Sequence, residues 1–282
     1  MIPRIITGLS QTDDAHDALL CDAWGVIHDG QRLLGDAGTA LARWRAERGP
    51  VVVITNAPRL SDVIPAQLDR LGLPRDAYDA VVTSGDATRA EVERRAGAAF
   101  YRLGPRKDDG LFEAIETEFV PLADADAILC TGLMDDERET PEDYREALSG
   151  AAARGLPMVC ANPDRVVRFG DRVMYCAGAL ADLYEELGGE VVMAGKPYAP
   201  IYRLALEAAR AAGGADRPLA IGDSVRTDLT GAARAGLDAV FVAGGVSLEE
   251  TREGGRLSER AVAELLAREG ARAAYAMEAL RW

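Results

Sequence analysis

Four short segments each place a polar or charged group directly after a run of apolar residues. Asp22 follows the apolar start of LLCDAWGVIHDG, Thr55 and Asn56 follow VVVI, Lys196 stands between Gly195 and Pro197 in VVMAGKPYAPIY, and Asp223 and Asp228 frame the turn in LAIGDSVRTDLTGAARAG. Each has its own chemistry. A carboxylate at a strand end can be a nucleophile or a metal ligand, and a hydroxyl with amides ahead of a helix suits an anion. An ammonium held between Gly195 and Pro197 can neutralise one. The two aspartates at a strand-to-helix turn, near a third, make the hard-oxygen site that Mg²⁺ accepts while keeping several waters. Taken singly, each group has a plainer explanation: a cap, a turn, or a surface charge. Taken together they can converge, because ligands of an open parallel sheet bind at the carboxyl ends of its strands.

The basic residues sharpen one of these assignments. Of 32 Lys and Arg, only Lys107 and Lys196 are lysine. A lysine that persists in an arginine background marks a place where a compact ammonium is needed and a planar guanidinium does not fit.

The elements that must position these groups follow from the apolar pattern. ALLCDAWGVI (18–27), VVVITNA (51–57) and AVVTSG (80–85) alternate with the helical stretches LGDAGTALARWRAERG and LSDVIPAQLDRLGL. Strands without polar alternation, separated by helices, predict a parallel sheet buried on both faces. The rhythm returns in VVMAG (191–195), LAIGDS (219–224) and AVFVAGG (239–245). Between the two halves lie further strands, FYRLG, AILCTG, PMVCAN and RVMYC, and a helix opened by a Thr140 cap with Pro141 at its first position. The expected architecture is therefore α/β, a Rossmann-like parallel-sheet core of residues 1–87 plus 179–282 carrying an inserted α/β cap domain of residues 88–178. A loop leading into an amphipathic helix is expected near the C-terminus, in GGRLSERAVAELLAREGARAA.

Composition excludes several function classes. A net charge of −14 repels phosphate backbones and argues against nucleic acid as a partner, so an anionic substrate needs local positive charge. No apolar run approaches the roughly 18 residues that span a bilayer, and the N-terminus lacks the pattern of a signal peptide, so no membrane partner and a cytoplasmic location are expected. Cys21, Cys130, Cys160 and Cys176 form no CxxC pair and the only histidines are His16 and His28, which disfavours structural zinc or a disulfide framework and makes the cysteines small buried hydrophobes.

The order Asp22, Thr55, Lys196, Asp223/Asp228 resembles the haloacid dehalogenase superfamily over essentially the whole chain. The insertion, with TSGDAT, ANPDR, GAL and GKPYAPIY, resembles the large C2 cap of subfamily IIA, which includes sugar-phosphate and 4-nitrophenylphosphate phosphatases. The resemblance implies a Mg²⁺-dependent phosphatase of a small phosphorylated metabolite. Asp22 would attack phosphorus to form an aspartyl-phosphate. Asp22, Asp223 and the backbone carbonyl of Trp24 would hold Mg²⁺, with Asp228 supporting it directly or through water. Thr55, Asn56 and Lys196 would bind phosphate, and the cap residues Asn162, Asp164 and Arg165 would face the substrate or form a plain surface turn. Caps of this size in related proteins often join dimers, so a homodimer is one expected partner state.

One departure matters. The family's phosphatases carry a second aspartate two residues after the nucleophile as general acid and base, and here that position is Trp24 in DAWGVIHDG. Losing such a group typically costs about 10²–10⁴-fold in rate. Three readings stay open: a phosphatase in which His28, Asp29 or a cap residue such as Asp164 substitutes, or whose leaving group needs no acid; a hydrolase of another bond such as carbon–halogen; and a phosphate-ligand sensor with vestigial turnover.

Overall fold

The computed structural model describes residues 2–135, 137–169, 172–214 and 216–282. Its strands, in chain order, are β1 (Arg4–Ile5), β2 (Ala18–Asp22), β3 (Val51–Thr55), β4 (Ala80–Thr83), β5 (Phe100–Leu103), β6 (Ala127–Cys130), β7 (Met158–Cys160) and β8 (Val166–Phe169). They continue with β9 (Arg172–Tyr175), β10 (Val191–Met193), β11 (Pro218–Gly222), β12 (Asp238–Val242), β13 (Arg252–Glu253), β14 (Arg256–Leu257) and β15 (Tyr275–Met277). Among the described residues these form a seven-stranded sheet ordered β1-β15-β12-β11-β2-β3-β4, a four-stranded sheet ordered β10-β7-β6-β5, and the ribbons β8-β9 and β13-β14.

The chain divides into two compact units, one of Met1–Thr55, Asp62–Val82 and Lys196–Trp282, the other of Asn56–Ser61 and Thr83–Gly195. In the first unit β11, β2 and β3 pair in parallel, and every residue of β2 and β11 is buried. That is what the unbroken apolar runs require, since helices cover both faces of such a sheet. Helices Ala37–Glu47 and Ala199–Ala211 pack on β3. On the other flank, Phe241 of β12 and Ala220 of β11 pack with Val262 and Leu266 of helix Glu259–Arg268. Chain order runs from β2 outward to β3 and β4, then returns on the other side of β2 as β11 and β12. The crevice between β2 and β11 is thus a topological switch point, where ligands of such sheets bind.

The second unit has its own parallel sheet. Ile128, Cys130, Met158 and Cys160 pack with Leu148, Leu180 and Tyr184 of two helices, while Phe100, Leu129 and Val159 pack with Val92, Leu111 and Phe112. The Thr140 start is observed as a capping box with Asp143 and Pro141 in the first turn. All four cysteines are buried. No helix among the described residues is long and apolar enough to cross a membrane.

Three placements differ from the sequence reading. The apolar rhythm places VVMAG (191–195) in the core sheet, yet β10 pairs with β7, Val191 opposite Met158 and Met193 opposite Cys160. Helix Ala177–Glu186, beyond the expected boundary at 178, buries Leu180, Leu183 and Tyr184 in the second unit. At the other boundary, helix Ser84–Glu93, opened by a Thr83/Asp86 capping box, begins ahead of residue 88, and the second unit resumes at Thr83. A short apolar run shows that it is buried but not which sheet buries it.

Candidate active site

Strand register gathers the site. Cys21 pairs with Ile221 and Asp22 with Ile54, so Thr55 lies one residue past the level of Asp22 on β3, and Asp223 follows the end of β11. Asp228 reaches the same place by a local device. Ser224 caps the wide turn Val225–Leu229 by accepting the Thr227 N–H, and its carbonyl accepts from both Asp228 and Leu229. The turn folds the Asp228 side chain over Gly222, where any Cβ would overlap it, and Ser224 N–H donates to Asp228 Oδ2 at 3.1 Å.

Lys196 joins the two ends of the crevice. Its Nζ donates to Asp22 Oδ1 at 2.5 Å and to Asp228 Oδ1 at 2.6 Å, with all three side chains buried. Burial works against the ammonium, but the Asp22 and Asp228 charges outweigh it and hold Lys196 well above its ordinary value. Asp22 is pushed well above the usual carboxylate range by burial and by the Asp228 charge, against the pull of Lys196. Burial, together with Asp228, pushes Asp223 up to about 6, although the Val246 N–H donates to its Oδ2 at 2.9 Å.

Ligand oxygens of Asp22, Asp223 and Asp228 lie within 4.8 Å of one another. Three buried carboxylates against one ammonium leave a surplus of two negative charges, the charge of one divalent cation. The donors are hard carboxylate oxygens, which fits a hard cation. Two glycines complete the cradle: a Cβ on Gly25 or on Gly245 would overlap Asp223 Oδ2. The Trp24 carbonyl is bonded to Gly25 and so belongs to the segment that touches Asp223.

Several of these parts escaped the sequence reading. Gly25, Gly245 and the Val246 N–H act through backbone, and their one visible signal is the GG that ends AVFVAGG. Tyr202 was also missed. From helix Ala199–Ala211 its buried hydroxyl donates to the Asp228 carbonyl at 3.1 Å, and its ring packs on Gly231, which has no room for a side chain.

The candidates for replacing the missing acid point elsewhere. The His28 ring is buried and its Nδ1 accepts the Gly30 N–H at 3.0 Å, which fixes the neutral ring's proton on Nε2. Burial lowers His28 below the ordinary histidine value against the pull of Asp29, so the ring stays neutral and has no imidazolium proton to give. Asp29 turns into its own loop. Its Oδ1 accepts from the Gln31 and Arg32 backbone at 2.9 Å each and its Oδ2 pairs with Arg32 at 3.2 Å. Those bonds hold Asp29 below the usual carboxylate range, the wrong direction for an acid. Trp24 is 58% exposed, stands edge-on to His28 at 5.6 Å between ring centres, and is closed on one side by Gly30, whose Cβ would overlap the indole.

The remaining expected residues lie in the second unit. Asn56 Oδ1 packs against Gly195, at 2.6 Å from where a Cβ would stand. Asn162 is buried and its Oδ1 accepts the Asp164 N–H at 3.0 Å. Arg165 forms a two-point ion pair with Asp182, one bond being 3.1 Å. The carbonyls of Asp164 and Arg165 accept from Gly178 and Cys176, which fixes this turn on the start of helix Ala177–Glu186.

Comparison with known proteins identifies the fold and the family. A haloacid dehalogenase-like hydrolase profile matches residues 19–117, and a second profile, HAD-hydrolase-like, matches 193–268. No match is found among curated proteins. Among solved structures, a haloacid dehalogenase-like hydrolase from Brucella suis is 40% identical over 98% of this chain and 100% of that one, with a TM-score of 0.81. A glycerol phosphate phosphatase from Mycobacterium tuberculosis, solved with calcium, is 25% identical over 82% of this chain and 67% of that one, with a TM-score of 0.63. A p-nitrophenyl phosphatase from Archaeoglobus fulgidus shares the fold at 21% identity over 94% and 96%, with a TM-score of 0.73. With buried carboxylates and a lysine at the switch point of its sheet, and with these relatives, the chain belongs to the haloacid dehalogenase-like hydrolases.

Proposed function

We propose that the chain is a Mg²⁺-dependent phosphatase of a small phosphorylated metabolite, with Asp22 as nucleophile. The observation that carries this reading is the Lys196 ammonium shared between Asp22 and Asp228 beside Asp223, a buried and strongly charged arrangement on the switch point of the sheet. Phosphatase activity in two structural neighbours adds weight.

Asp22, Asp223 and the Trp24 carbonyl would hold Mg²⁺, and Asp228, whose Oδ2 already accepts from Ser224, would support it through water. Bound there, the ion supplies positive charge to the phosphoryl oxygens. The chain's own residues do the rest. Asp22 attacks phosphorus in line, forming the P–O bond of an aspartyl-phosphate as the ester bond breaks. Lys196 and the Thr55 hydroxyl stabilise charge on the equatorial oxygens, which is where most catalysis of phosphoryl transfer originates. Asn56, Asn162, Asp164 and Arg165 remain candidates for phosphate and substrate contacts. Water then attacks phosphorus, the P–O bond to Asp22 breaks with its electron pair returning to the carboxylate, and the water's proton departs with the released hydrogen phosphate.

The test is phosphate release from a panel of phosphate esters. Activity that needs Mg²⁺, stops in EDTA and disappears in Asp22→Asn supports the reading, whereas haloacid turnover surviving EDTA overturns it. The retained Asp223/Asp228 pair speaks against that carbon–halogen chemistry. A second reading, a phosphate-ligand sensor, draws on Trp24 in place of the acid. Tight binding of a phosphate analogue without turnover of any ester supports the sensor.

A further inference from the structure

The ion pair between Lys196 and Asp228 is backed by two residues that the reaction itself does not use. Pro197 is bonded to Lys196, and the Tyr202 hydroxyl donates to the Asp228 carbonyl at 3.1 Å. Both residues line a groove of about 250 Å³ between helices Ala199–Ala211 and Thr230–Arg234. The buried Tyr202 ring, held against Gly231, gives it a fixed floor, which Leu206 and Ala235 extend as apolar surface. The rest of the lining is cationic. Arg203 and Arg210 stand seven residues apart on one helix, about 10 Å along its axis, and Arg234 is on the other. Among the described residues no carboxylate lines the groove, and neither Arg210 nor Arg234 forms an ion pair; Arg234 lies over the Tyr198 ring, 5.5 Å from its centre. Arg43, Arg75 and Arg145, by contrast, are each held by an acid, Glu47, Asp69 and Glu142. In a chain of net charge −14, unopposed guanidinium groups around an apolar floor mark a place for an anion, and their planar forks suit phosphoryl oxygens.

We infer that this groove is an effector site, distinct from the catalytic crevice, for a small dianionic phosphate or phosphonate with an apolar body, and that its occupancy is transmitted to the metal-binding carboxylates through Pro197 and Tyr202. Arg210 and Arg234 supply the charge, and the apolar body lies on Leu206 and the Tyr202 ring. The path inward is short. A ligand that presses on Pro197 or Tyr202 moves one end of the 2.6 Å bond between Lys196 and Asp228, and with it the carboxylate charge offered to a cation. The metal in this coupling is the one that the phosphatase reading assigns, whereas the anion site stands without it.

The probe is benzylphosphonate at pH 8, whose P–C bond leaves no ester to hydrolyse. In EDTA the crevice keeps its surplus of two negative charges and repels the anion, so calorimetry on the metal-free protein reads the groove. Binding should weaken by about 10-fold or more in the double variant Arg210→Ala/Arg234→Ala, the scale of a lost charged hydrogen bond, and stay unchanged in the crevice variant Thr55→Ala. Both arginines are exposed, so the double variant should melt as the wild type does. No binding, or binding that Thr55→Ala weakens and the arginine substitutions do not, overturns the site. In the second arm the probe should change Mg²⁺ affinity by about 5-fold or more, and Mg²⁺ should change probe affinity by the same factor. Tyr202→Phe, which keeps the ring, should bind the probe normally and bring that factor towards one. A factor of one in the wild type, or one that persists in the arginine variant, overturns the effector role and leaves the phosphatase reading intact. Mg²⁺ that fails to bind at all overturns both.

Discussion

Lys196 Nζ lies 2.5 Å from Asp22 Oδ1, and this one bond joins strand ends separated by 174 residues of chain. The lysine neutralises buried carboxylates before any ligand arrives. Lys196→Met leaves Asp22 and Asp228 without their cation, and breaking a buried pair in this way costs about 3–5 kcal/mol. Urea denaturation should register that loss more fully as pH rises, because the raised Asp22 must ionise without its cation. Phosphate release should fall by about 10²-fold or more.

Asp223 sets a pH dependence whose sign can be worked out. Its folded-state value of about 6 stands above the unfolded 3.8, so the folded protein holds this proton more tightly. The stabilisation is present below about pH 4 and is lost as pH rises through 6. In EDTA at pH 8, Asp223→Asn should therefore be more stable than the wild type by about 2–3 kcal/mol, with the difference vanishing near pH 4. Metal binding requires the ionised form, so Mg²⁺ affinity measured by calorimetry should weaken about tenfold per pH unit below 6 in the wild type.

Gly245→Ala would press a methyl group onto Asp223 Oδ2. The backbone can yield only by withdrawing the Val246 N–H or by displacing the carboxylate, and either change disturbs the metal cradle. Mg²⁺ affinity should drop by about 10-fold or more, with a loss of stability of about 1–3 kcal/mol typical of overpacking. An unchanged binding isotherm would contradict the cradle.

Tyr202→Phe makes a milder test. It removes one buried hydroxyl that donates to the Asp228 carbonyl at 3.1 Å and keeps the ring that packs on Gly231. The expected stability loss is about 1 kcal/mol, the usual value of one such bond, and turnover should fall only severalfold.

Trp24→Asp and Asp29→Ala form a contrasting pair. If the absent acid limits alkyl ester turnover, Trp24→Asp raises it by about 10²-fold. Asp29→Ala should leave the pH profile where it was, because the Asp29 carboxylate is spent on Gln31 and Arg32 in its own turn.

The side chains of the site were legible in the sequence for a physical reason. Asp22, Thr55 and Asp223 each end or follow an apolar strand of one sheet, and parallel register turns that shared position into proximity, while the Ser224-capped turn brings in Asp228 and Lys196 arrives from beyond a strand of the other sheet. What stayed hidden acts through backbone or through choice of partner. Nothing in the letters of Gly25, Gly245 and Val246 says that they enclose a carboxylate, and Tyr202 reads as one more apolar position of an amphipathic helix. The three residues of β10 show burial but not the β7 edge they join, and two-residue β1 falls below any periodic signal. His28 and Asp29 looked suitable by type and spacing, and only the hydrogen bonds of their loop reveal how both are engaged.

The order of strands also has a consequence for synthesis. β2 is wholly apolar along its length apart from Asp22 and occupies the middle of its sheet, yet its neighbour β11 is encoded after the entire second unit. With 200 residues between the paired Ala18 and Pro218, and translation at about 5–20 residues per second, that edge waits roughly 10–40 s for its partner. Throughout that interval the nascent chain carries an unpaired, sticky strand, while the second unit already has the local contacts to fold. Ribosome-associated chaperones should therefore meet this protein at intermediate lengths, after β3 emerges and before β11 does.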